Sequence, residues 1–104
     1  MPSVRLALLA ALLLAAPAVQ AHPLSESEAR AVKCFVALID AQDTAKKRGD
    51  LQSADAFEAA WLVIPEMSRV EMDAITGAQA AMAAAHLTDR DLELIAEECQ
   101  RHYR

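Results

Sequence analysis

The stretch SESEARAVKCFVALIDAQDTAKKRG, residues 25–49, decides the fold. Its apolar residues recur at spacings of three and four, which places them on one stripe of an α-helix. The stripe consists of Ala31, Cys34, Phe35, Leu38, Ala41 and Ala45. Three further apolar residues widen it, namely Val32, Val36 and Ile39. A stripe of this width predicts a helix that contacts more than one neighbour.

The ends of this first helix also carry recognisable signals. Ser25 followed three residues later by Glu28 has the spacing of a capping box, which favours a helix start. The basic residues 46–48 suit the negative end of a helix dipole, and Gly49 is a typical C-terminal stop. The sequence therefore predicts a helix over residues 26–48.

A second helix is predicted after a short turn. Ser53 is the preferred N-cap, and Asp50 is the alternative. The inner face of this helix should contain Phe57, Ala60, Trp61 and Ile64. Pro65 lacks a backbone N–H, so the helix should end or kink there.

Two more helices complete the prediction. A third, alanine-rich helix is expected over residues 66–85, with a possible break at Gly77. A fourth should begin at Thr88, because Asp91 three residues later completes a second capping pair. The inner face of this last helix should contain Leu92, Ile95, Ala96, Cys99 and Tyr103.

The composition indicates one helical domain. The chain has 104 residues, of which 55% are apolar, and its net charge is −5. No stretch alternates apolar and polar residues with β-branched enrichment, so no strand is predicted. The length and the acidic charge argue against a second domain and a basic nucleic-acid-binding surface. We predict an all-α fold, a small three- or four-helix bundle stapled by one disulfide and preceded by a cleaved signal peptide.

The N-terminus has the pattern of a secretory signal peptide. Arg5 supplies the positive charge, and residues 6–16 are an unbroken run of Leu and Ala. A break at Pro17 precedes small residues, so we expect cleavage after Ala21, with Ala18 as the alternative.

The predicted leader sets the domain boundary and the compartment. We expect a signal peptide over residues 1–21 and one helical domain over residues 22–104. The short, alanine-rich leader is typical of bacteria, so the predicted location is the periplasm or outside the cell. An uncleaved membrane anchor is the alternative, and no other stretch is apolar enough to span a bilayer.

The two cysteines, Cys34 and Cys99, are predicted to form a disulfide. An even cysteine count in an exported protein favours pairing, and both residues lie on inner helix faces. The bond would join the first helix to the last and close a loop of about 66 residues, which stabilises the fold by roughly 4 kcal/mol. A reactive thiol and a bridge between two chains are the alternatives.

Three residues are candidate metal ligands. His22 becomes the N-terminal residue if cleavage follows Ala21, and its amino group and imidazole could then chelate Cu(II). Glu98 and His102 are four residues apart on one helix face, where they could bind a metal or form an exposed ion pair.

The sequence lacks the motifs of common enzymes. It has no nucleophile elbow, phosphate-binding loop, zinc motif or paired catalytic histidines, so we predict neither catalytic residues nor a cofactor. We predict an exported, non-enzymatic protein-interaction or stress-related module with another periplasmic protein as its partner. Because a weakly packed helix can open, the candidate partner-binding residues are Met67, Met72 and Met82. The alternative function is a carrier of a small ligand or metal.

The spacing of several residues resembles that in a loose group of small exported bacterial proteins. These proteins have one cysteine in the first helix, a Gly-Asp turn, a tryptophan in the second helix and Cys-x-x-x-Tyr near the end. The matching features here are Cys34, Gly49-Asp50, Trp61 and Cys99 with Tyr103. The resemblance implies a helical fold and a disulfide, and it carries over no catalytic residue. Size and compartment are also similar to those of the acid-stress periplasmic chaperones, with no shared motif.

Overall fold

A computed structural model describes residues 23–103 of the chain. This part contains four α-helices and one 3₁₀ helix, and no strand. The α-helices are α1 (Glu26–Lys47), α2 (Leu51–Leu62), α3 (Met72–Ala84) and α4 (Asp89–His102), and the 3₁₀ helix is Pro65–Arg69. The predicted all-α fold with four helices is confirmed. The predicted signal peptide and His22 lie outside the described residues.

Helix α1 is the central element of the fold. It contacts α2, α3, α4 and the 3₁₀ helix, whereas α2 and α4 also contact each other. Its apolar stripe joins the main core, and Val32, Val36 and Ala37 are also buried. The prediction that this helix contacts more than one neighbour is confirmed, because it is covered on several sides.

The main core lies between α1, α2 and α4. Leu38 is fully buried there, together with Phe57 and Ala96. The predicted disulfide is present: Cys34 and Cys99 are bonded, their Cα atoms are 5.5 Å apart, and both side chains are buried. The bond therefore joins α1 to α4 at the edge of this core.

A polar side chain is buried in the contact between α1 and α2. The Trp61 Nε1–H donates a hydrogen bond to Gln42 Oε1 at 2.7 Å, and Gln42 Nε2 donates to Glu58 Oε2 at 3.2 Å. The Trp61 ring also packs edge-on against Phe35, with centroids 5.6 Å apart. Gln42 thus pairs with the half-buried indole and helps to fix α2 against α1.

The helix starts follow the sequence signals closely. The capping box of Ser25 and Glu28 is present at α1, and that of Thr88 and Asp91 is present at α4. At α2 the alternative prediction is the correct one. Asp50, not Ser53, is the N-cap, and Asp50 Oδ1 accepts a hydrogen bond from the Ser53 backbone N–H at 3.1 Å.

The predicted third helix over residues 66–85 is wrong at its N-terminal end. Pro65–Arg69 forms a 3₁₀ helix, and the backbone is extended at Val70 and Glu71 before α3 begins. Pro65 explains the change, because it cannot continue α2 and starts a new turn instead. From Met72 onwards the helix is continuous through Gly77, so no break occurs there.

The two glycines should respond in opposite ways to alanine. Gly49 follows α1 with a φ of +78°, a conformation that strains a side chain, whereas Gly77 lies inside α3 with open space around its Cβ position. We expect Gly49→Ala to lower the free energy of unfolding by about 1 kcal/mol and Gly77→Ala to raise it by a similar amount. Urea unfolding of both variants measures this. Shifts of the same sign would contradict the assigned conformations.

Candidate functional site

Helix α3 is the most weakly packed α-helix of the described chain. None of its residues is buried, and its Cα atoms come within 8 Å of α1 but of no other described element. Met72 at its start is 71% exposed. Since alanine side chains bury little apolar area, α3 is held by a small contact. It leaves open grooves on the side that faces α4.

The first groove lies over the disulfide and is rich in cations. It has a volume of about 630 Å³, and its floor includes Cys34 and Cys99. The charged and polar side chains that line it are Arg30, Lys33, Glu98, Arg101 and His102. We call this surface the cationic groove. Among the described residues it has one carboxylate against three permanent cations, so it is positive although the chain as a whole is acidic.

The second groove lies between α3 and the helices α1 and α4. Its volume is about 360 Å³, and apolar side chains make up most of its lining. These are Ala78, Ala81, Met82, Ala85, Leu87 and Ile95. We call it the apolar groove. Lys33 and Ile95 line both grooves, so the two adjoin.

A third, smaller cavity of about 210 Å³ lies at the C-terminal end of α3. It is lined by Asp40, Gln79 and His86 among apolar residues, and it shares Met82 and Leu87 with the apolar groove. Burial raises the pKa of the Asp40 carboxyl, and the charge of Asp43 raises it further. His86 has a φ of 51°, so it ends α3 in the left-handed conformation.

Tyr103 lies just after α4, near residues of α1 and the 3₁₀ helix. Burial raises the pKa of its hydroxyl, and the Glu66 carboxylate raises it further, while the charge of Arg30 opposes both. The 3₁₀ helix is also joined to α1 by an ion pair, in which Arg69 Nε is 3.9 Å from Glu28 Oε2. The 3₁₀ helix therefore lies against α1 and near the residue that follows α4.

Two of the three candidate metal ligands lie in the cationic groove. Glu98 and His102 both line the cationic groove and are exposed, and no ion pair joins their side chains. Within residues 23–103 no three residues among His, Cys, Asp and Glu are placed to hold one ion. The third candidate, His22, lies outside these residues.

The three candidate methionines lie in different environments. Met67, on the 3₁₀ helix, is half-buried and packs against the core. Met72 is exposed at the start of α3, and Met82 lines the apolar groove. The three methionines therefore do not form one surface. While α3 is packed on α1, a partner could reach Met72 and Met82 but not Met67.

The two grooves were not predicted from the sequence. The basic residues at the end of the fourth helix suit the helix dipole, which explains them without a binding role. The predicted disulfide could have indicated the cationic groove. Arg30 and Lys33 lie within one turn of Cys34, and Arg101 lies within one turn of Cys99, so pairing the cysteines brings these cations together.

Comparisons with known proteins identified no relative of this chain. No protein-family model, curated protein or solved structure matches the chain. Among the helices of residues 23–103, none has both the length and the apolar composition needed to cross a membrane. The geometry of α3 and its grooves is therefore the basis on which a function can be inferred.

Proposed function

We propose that this protein is an exported, non-enzymatic helical module that binds another protein through α3. The observation that carries the proposal is the packing of α3, which has no buried residue and contacts α1 alone among the described elements. The leader-like N-terminus and the disulfide support export to the bacterial periplasm or beyond. Binding of a partner is the simplest use for a helix that contributes so little to the core.

The composition of α3 suits contact with an apolar segment of a partner. Its outward surface includes Met72 and several exposed alanines, and Asp73 in the first turn is the one charged residue of the helix. Small side chains allow a second helix to approach closely, and the flexible methionine side chain adapts to the surface that it meets. The partner chemistry that fits is an apolar or amphipathic helix.

Helix α3 should open before the rest of the fold. It has few buried contacts, whereas α1 is covered on several sides, and local opening follows local contact density. We expect amides of α3 to exchange at least roughly 100-fold faster than those of residues 32–45 in α1. Hydrogen exchange followed by mass spectrometry measures this. Equal protection in the two helices would show that α3 is not a separate opening unit.

Site-specific cross-linking tests the binding surface directly. We expect a photo-reactive residue in place of Met72 to cross-link a partner in a periplasmic extract. An extract from acid-shocked cells is the second condition, which tests a role under stress. The same residue at Leu94, an exposed position on α4, is the matched control. Ala80→Glu should abolish the product because it places a charge on the exposed side of α3. Equal products at both positions, or none under either condition, would contradict the proposal.

The grooves beside α3 favour a second candidate function, the carriage of a small ligand. Metal carriage is the other form of this alternative, with His22, Glu98 and His102 as the candidate ligands. Metal analysis of protein purified without an affinity tag separates the two. Stoichiometric Cu or Zn would support metal carriage, and substoichiometric metal would remove it.

A further inference from the structure

We propose that the cationic groove and the apolar groove together bind a single-chain anionic amphiphile, with its headgroup over the disulfide and its tail along α3. This inference rests on the second candidate function, ligand carriage, and is independent of the binding of a protein partner. Its basis is the adjacency of two surfaces of different chemistry, which meet at Lys33 and Ile95.

The headgroup site follows from the charges of the cationic groove. Arg30, Lys33 and Arg101 line it, and among the described residues Glu98 is its only carboxylate. No ion pair in the described chain joins Lys33 or Arg101 to an acidic side chain, so these cations remain able to pair with a ligand. Guanidinium groups match the geometry of carboxylate and phosphate, which makes an anionic headgroup the fitting occupant.

The tail site follows from the lining of the apolar groove. Beyond Lys33 its lining is apolar, with Ala81, Met82 and Ile95 among its members. Its volume of about 360 Å³ is near the lower end of the usual range of small-molecule sites, which is about 300–1,000 Å³. A single aliphatic chain fits this size better than a two-chain lipid. An anionic head with one aliphatic tail is therefore complementary to both grooves at once.

A bound tail should stabilise the packing of α3. The proposed tail would lie between α3 and Ile95 of α4, where the described helices make no close backbone contact. A bound tail would thus supply apolar contacts that α3 lacks. Ligand binding should slow amide exchange in α3 more than in α1, since a ligand stabilises the closed form that binds it.

Calorimetric titration of the purified, disulfide-bonded protein tests the proposal. We expect decyl phosphate to bind at least tenfold more tightly than decyltrimethylammonium, which has the same tail and the opposite charge. Decanoate, whose tail beyond the carboxylate is one carbon shorter, should also bind more tightly than this cation. Between hexanoate and decanoate each buried methylene should strengthen binding by about fourfold. The decanoate and decyl phosphate titrations distinguish a carboxylate headgroup from a phosphate one.

Two pairs of variants assign the binding to the two grooves. Lys33→Gln with Arg101→Gln should weaken decanoate binding at least tenfold and decanol binding much less, because decanol carries no charge. Lys46→Gln with Arg90→Gln removes the same charge elsewhere and should have little effect on either ligand. Ala81→Trp should block the apolar groove, whereas Ala84→Trp places the same side chain on α3 outside its lining.

Three results would overturn the inference. The first is equal binding of the anionic and cationic amphiphiles, which would indicate only an apolar surface. The second is binding of inorganic phosphate as tight as that of decyl phosphate, which would indicate an anion site only. The third is equal loss of binding in each variant and its matched control. None of these results bears on cross-linking at Met72, so a failure here is distinct from a failure of the proposed function.

Discussion

Replacing both Cys34 and Cys99 with alanine should lower the free energy of unfolding by about 4 kcal/mol. The bond closes a loop with a sequence separation of 65 residues, so it removes much conformational freedom from the unfolded chain. Small domains are stable by about 5–15 kcal/mol, and this one has a modest core, so the loss is a large part of the total. Urea unfolding of the variant against the oxidised parent measures the difference.

The reduced parent protein is the matched control for this prediction. Reduction opens the same loop while both sulfur atoms remain in place, so it separates loop closure from the packing of the cysteine side chains. We expect the reduced protein to lose nearly as much stability as the double alanine variant. A loss below about 1 kcal/mol in both would contradict a stabilising role of the bond.

Helix starts and the disulfide were predictable from the sequence because their causes are local or compositional. A capping box needs only a serine or threonine and a carboxylate three residues later, as at Ser25 and Thr88. The disulfide follows from two cysteines on inner faces. The Asp50 cap was less certain, because Ser53 has a similar preference and the backbone geometry of the turn decides between them.

The arrangement of α3 was not predictable from periodicity. Pro65 signals an interruption, but the sequence pattern cannot distinguish a kink from a 3₁₀ turn followed by extended residues. The grooves depend on how closely α3 approaches α4, which is a tertiary property. Only the cationic groove could have been predicted from the sequence, because the disulfide brings the cationic residues near Cys34 and Cys99 together.

The second large effect is expected for Leu38→Ala. Leu38 is fully buried in the core shared by α1, α2 and α4, and truncation there would leave a cavity. We expect the free energy of unfolding to fall by about 3 kcal/mol, within the usual range for a buried leucine. Leu62→Ala is the matched control, because Leu62 is 62% exposed and should contribute little. Urea unfolding gives both values.

Hydrogen exchange on the same variant distinguishes global from local opening. Amides of α1 that exchange only by global unfolding should lose about 3 kcal/mol of protection in Leu38→Ala, which is a factor of roughly 150 in exchange rate. Amides of α3 should change little, because α3 contributes no residue to the core that contains Leu38. An equal change in both helices would mean that α3 opens only when the whole fold does. In that case, exposure of its apolar surface could not be regulated separately from unfolding.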